Sequence, residues 1–161
     1  MRSVAVVLLV AACALSAPAG AAPGGVVLDV GGYTIHEGRG EGLYLAGRVV
    51  RSLLRFGSFS GGVFTGSGTD PFAGVQLGVG LWLPFGSMAV TANVGAGVAY
   101  ERADADGSLI STRHWEVGLE SRVVGATYVR LGVRRGEHGS FGDAGTFDGP
   151  HAVFAGVRLG L

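Results

Sequence analysis

The chain has 161 residues, room for one domain, with 31 Gly, 48% hydrophobic residues and a formal net charge of zero. That balance excludes the basic footprint of a nucleic-acid binder, so no nucleic-acid partner is expected. Beyond residue 22 no apolar run approaches the ~20 residues of a membrane helix.

Residues 1–22 read as a cleaved secretory signal peptide: Arg2, an apolar run from Val4 to Val10, then a small-residue tail in which Ala19-Gly20-Ala21 fits an A-x-A cleavage site. The single cysteine, Cys13, lies within it. Leu9-Val10-Ala11-Ala12-Cys13 also resembles a lipoprotein processing site, which would leave a lipid-anchored protein, and the two outcomes stay open. Residues 23–161 are expected to form one domain without a disulfide.

Eight segments then alternate with period two, near 26–35, 43–54, 59–66, 73–83, 88–101, 112–123, 127–135 and 151–161. The inward face of the first, with Asp29, is left undecided. In the second, Arg48 interrupts one face and Arg51 the other. The fourth is clear: Val75, Leu77, Val79, Leu81 and Leu83 oppose Gln76, Gly78, Gly80 and Trp82. Taking Pro84-Phe85-Gly86-Ser87 as the turn into the fifth sets Leu83 against Met88, Leu81 against Val90 and Leu77 against Val94. Short turns at 55–58, 84–87 and 124–126 alternate with longer polar loops at 36–42, 66–71, 103–111 and 136–150. Tight turns at one end and larger loops at the other are expected of a transmembrane barrel.

The sixth and seventh segments add charge. If Trp115, Val117, Leu119 and Val129, Leu131, Val133 point outward, then His114, Glu116, Glu120, Arg122 and Tyr128, Arg130, Arg134 point inward. A turn centred on Gly125 places Glu120 opposite Arg130 and Glu116 opposite Arg134, close enough for two carboxylate–guanidinium pairs. Asp29 and Arg158 are candidates for a third pair across the closure. An eight-stranded barrel is filled by its own side chains, so these pairs are expected to plug the lumen rather than line a pore. Trp115 and Tyr100 at the loop end and Phe85 at the turn end suit aromatic girdles.

The last segment, HAVFAGVRLGL, alternates to the terminal residue. Its Gly156, Leu159 and Leu161 resemble the C-terminal signal of bacterial outer-membrane β-barrels, although those barrels more often end on Phe. The resemblance implies an all-β, eight-stranded antiparallel up-and-down transmembrane β-barrel in the outer membrane of a Gram-negative bacterium, like the small non-porin barrels found there. Its partners would be outer-membrane lipid and the barrel assembly machinery acting through the C-terminal strand, and the protein would be a monomer. The expected role is structural or surface-interactive, neither catalytic nor freely conducting.

No metal or cofactor motif is read: the four His residues lack ligand spacing, and Asp104-x-Asp106-Gly107 lacks the rest of a calcium loop. His138-Gly139-Ser140 resembles the His-x-Ser of the outer-membrane lipid A deacylases, which implies Ser140 as nucleophile and His138 as base. No Glu follows Ser140, and Phe141 stands where those enzymes commonly have Asn, leaving only Asp143 or Asp148 as orienting acid. A further alternative is a soluble or lipid-anchored ligand-binding barrel, with the apolar residues inside and the Glu/Arg set on the surface.

Overall fold

The computed structural model describes residues 23–35, 40–53, 55–68, 71–102, 107–140 and 147–160. The signal-peptide segment, Asp104, Asp106 and Asp143 lie outside them. The described residues form eight strands: β1 Gly25–Ile35, β2 Gly40–Ser52, β3 Gly57–Gly68, β4 Phe72–Phe85, β5 Met88–Glu101, β6 Ser108–Val124, β7 Thr127–Ser140 and β8 Phe147–Gly160. Each pairs antiparallel with the next, and β1 closes on β8. The fold is a closed eight-stranded up-and-down barrel, so its sheet has no free edge.

The strands are longer than their apolar alternation. β6 begins at Ser108, β7 runs to Ser140, and β8 begins at Phe147, so most of the expected 136–150 loop is paired strand. A backbone ladder needs N–H and C=O partners, not apolar side chains, and it continues into polar sequence. A register shift between Arg135 and Glu137 marks this polar extension. The connections at the loop end shrink to 36–39, 69–71, 102–107 and 141–146, against 53–56, 86–87 and 125–126 at the turn end.

The β4–β5 hairpin also differs from expectation. Leu83 faces Val90, not Met88; Leu81 faces Ala92; and Phe85 faces Met88. Gly86 takes a φ of 64°, a left-handed conformation that suits Gly and reverses the chain in two residues instead of four. The register moves by two positions, which leaves both faces unchanged. Around Gly125, φ 55°, the β6–β7 ladder sets Glu120 opposite Arg130 and Glu116 opposite Arg134.

Closure is staggered. Following Cα partners from Arg113 through Ala96, Leu77, Gly61, Val49, Val26 and Leu159 returns to β7 at Thr127, ten positions from Glu137, which faces Arg113 directly. With eight strands about 4.8 Å apart and a rise of about 3.3 Å per residue, that stagger tilts the strands by roughly 40°.

The two faces are sharply different. Leu28, Leu45, Val63, Leu77, Val117, Leu131 and Leu159 are among the large apolar side chains exposed on the outside. Asp29, Arg48, Gln76, Glu116, Glu120, Arg130, Arg134 and Arg158 are buried inside. This reverses the soluble-barrel arrangement, in which the Glu/Arg set would lie on the surface. Tyr100, Trp115 and Phe85 are all exposed on the outer wall.

Candidate functional site: the filled lumen

The lumen is built around an ion-pair network. Arg48 Nη2 donates to Asp29 Oδ2 at 2.8 Å and to Glu116 Oε1 at 2.9 Å. Arg130 grips the same two carboxylates, Nη1 to Asp29 Oδ2 at 3.2 Å and Nη2 to Glu116 Oε1. Cations and anions thus alternate around a four-membered ring drawn from β1, β2, β6 and β7. Below it, Arg158 Nη2 donates to Glu120 Oε1 at 2.8 Å, and Arg130 Nε lies 3.7 Å from the same oxygen. None of the six side chains is more than 6% exposed. Charges this deep persist because each carboxylate is shared between guanidinium groups.

The pairing differs from the expected one in two respects. Glu116 faces Arg134 in register but binds Arg48 and Arg130, while Arg134 forms no ion pair among the described residues. Its guanidinium stands over the rings of Tyr44 and Phe64, at 5.4 and 5.3 Å. Asp29 does not meet Arg158 across the closure: its partners are Arg48 and Arg130, and Arg158 turns to Glu120 and the Pro23 carbonyl. Long arginine side chains on strongly tilted strands reach diagonally, so Cα register alone does not choose the partner.

The faces of two members, Asp29 and Arg48, are unassigned in the sequence, and Asp29 is matched there only with Arg158. The usable signal was parity. Arg48 shares its face with Tyr44 and Ala46, and once β2 is paired with β1 through Arg48↔Val27 and Ala46↔Asp29 the inward set follows.

Above the charges, towards the loop end, the lumen turns apolar. Tyr33, Tyr44, Phe64, Phe72 and Ile110 pack into one buried cluster. Phe72 is its centre, edge-on to Tyr33 at 5.1 Å and to His138 at 5.8 Å. Opposite the charged strands, Ser58, Ser60, Gln76 and Thr91 form an uncharged polar wall. A cavity of about 20 Å³ remains beside Arg48 and Arg130, room for about one water.

His138 and Ser140 thus belong to β7 rather than to a loop. The His138 imidazole is buried against Phe72. Ser140 faces Ile110 in the ladder, and its side chain, like that of Asp148, lies outside the described residues.

No known protein family matches this chain by sequence, and no curated protein matches it. Among solved structures, the fold is similar to the crystal structure of neisserial surface protein A, with a TM-score of 0.63 over 86% of this chain and 96% of that one. Sequence identity is 10%, so the likeness is one of fold.

Proposed function

We propose that this chain is an exported outer-membrane β-barrel whose lumen is a structural plug, and that it works through its outer surface and loops rather than by catalysis or conduction. One observation carries this: the barrel is inside out, with buried Arg, Asp and Glu filling the core and Leu, Val and Trp covering the outside. In water such a wall would be an aggregation surface; in a bilayer it is the solvent-matched one. The fold likeness to a surface protein of a bacterium supports the same placement. In this reading residues 1–22 direct export, the C-terminal strand is presented to the barrel assembly machinery, and a monomer sits in outer-membrane lipid.

Two measurements test it. The mature chain is expected in the detergent-extracted envelope fraction, migrating differently on SDS gels before and after boiling. Recovery as a soluble protein overturns the membrane reading. In planar bilayers the parent is expected to show no steady conductance, because the ion-pair ring and the Phe72 cluster close the lumen in series. Stable openings overturn the plug.

A further inference from the structure

The outer wall ends differently on different strands. On β6, Leu119, Val117 and Trp115 give way to Arg113; on β7, Val129, Leu131 and Val133 give way to Arg135; on β8, Val153 gives way to His151. Trp115 faces Arg135 in the ladder, and Arg135 faces His151. Arg113, Arg135 and the half-buried His151 therefore form a row across the upper outer wall of β6, β7 and β8, with Leu109 and Tyr100 exposed nearer the loop end beside Arg113. Arg113 and Arg135 are both exposed.

Beneath this row the wall is concave. A groove of about 560 Å³ descends between Trp115 and Leu77 over the small Ala96 and reaches Phe59 at its foot; Arg113, Arg135 and Glu137 form its upper rim. The volume lies within the usual range of about 300–1,000 Å³ for ligand pockets. The rim holds two guanidinium groups and one carboxylate, a formal charge of +1.

A cationic rim over an apolar trough asks for a molecule with an anionic head and a hydrocarbon tail. Guanidinium forks match phosphate oxygens in geometry and charge, which a neutral head would leave unused. A small soluble anion would use the rim and leave the trough exposed. We propose that this groove binds one phosphorylated glycolipid of the outer leaflet, its phosphate held by Arg113 and Arg135 and one acyl chain laid along Trp115, Ala96 and Leu77. The assignment to that leaflet rests on the outer-membrane reading above, with the loop end facing outward.

The full mature barrel, folded in detergent micelles, would be titrated with lipid A, with dephosphorylated lipid A and with phosphatidylglycerol, and retained lipid counted by native mass spectrometry. One lipid A per barrel is expected, with at least tenfold weaker retention in the Arg113→Gln/Arg135→Gln double variant. Ala96→Phe, which fills the trough and leaves the charge alone, is expected to weaken retention comparably. Unchanged retention in either variant, or equal retention of dephosphorylated lipid A, overturns the site. Equal retention of phosphatidylglycerol overturns the glycolipid assignment. Heat-modifiable migration and insertion into vesicles are recorded on the same samples. A barrel that fails to insert sinks the membrane reading, whereas one that inserts but binds without regard to Arg113 and Arg135 sinks only the site.

Discussion

Arg130 donates to Glu116 across a diagonal of the β6–β7 ladder, while Glu120, its partner in register, stands 3.7 Å from its Nε. Glu116, like Asp29, therefore holds two guanidinium groups at once, Arg48 and Arg130. The stability of the lumen is concentrated there.

Glu116→Gln is expected to cost about 3–5 kcal/mol, the range for removing one member of a buried ion pair, because Arg48 and Arg130 lose one of their two shared anions and keep only Asp29. Glu120→Gln should cost less, since only Arg158 bonds it closely, at 2.8 Å. Urea unfolding in vesicles, followed by tryptophan fluorescence, gives both values. Equal losses would show that the diagonal contact is unimportant.

Arg134→Met should behave unlike any change in the ring. Arg134 leaves no carboxylate behind when removed, and Met can occupy the space against Tyr44 and Phe64. The expected change is within about 1 kcal/mol of neutral, since a cation–π contact is replaced by apolar packing. Arg48→Met in the same assay should cost several times more, because Asp29 and Glu116 then lose a shared cation.

Gly156→Ala should destabilise the barrel by about 1–3 kcal/mol through overpacking. A Cβ there would fall 2.1 Å from Asp29 Oδ1 and 2.4 Å from the Leu28 carbonyl oxygen, both on the strand that closes the barrel. Gly32→Ala is the control: a Cβ at that position meets nothing within 4 Å. Equal effects would place the cost in backbone entropy instead of the crowded seam.

Val117→Arg puts a charge in the middle of the outer apolar wall. If that wall faces lipid, the substitution should cost about 2–4 kcal/mol in vesicle refolding equilibria. Ser67→Arg, on the exposed loop end of β3, should stay within about 1 kcal/mol. A wall that faces water would tolerate both equally.

Much of this architecture was legible in the amino-acid order, because a period of two converts directly into faces. Val75 to Leu83, and Trp115 to Leu119 against Val129 to Val133, needed no structure to be set outward. Register was harder. The β4–β5 hairpin slipped by two because Pro84 and Phe85 stay in the ladder and Gly86 alone supplies the reversal. The ion pairs were hardest of all: parity places Glu116, Arg130 and Arg134 in one lumen, but the choice of partner depends on strand tilt and side-chain reach. The basic row of Arg113, Arg135 and His151 was hidden for a related reason, since it joins three strands that are adjacent only after folding.

Arg158 sits on the last strand, donates to the Pro23 carbonyl just before the first strand, and ties both to Glu120 on β6. The seam between β1 and β8 is latched from within as well as hydrogen-bonded along its length. To part, it must pull the Arg158 guanidinium off the Pro23 carbonyl and the Arg130 guanidinium off Asp29, where there is almost no water to receive them. Escape from the closed state is then governed by a rate rather than by a balance of populations. The protein's lifetime in its surroundings would depend on how seldom these latches are lifted together.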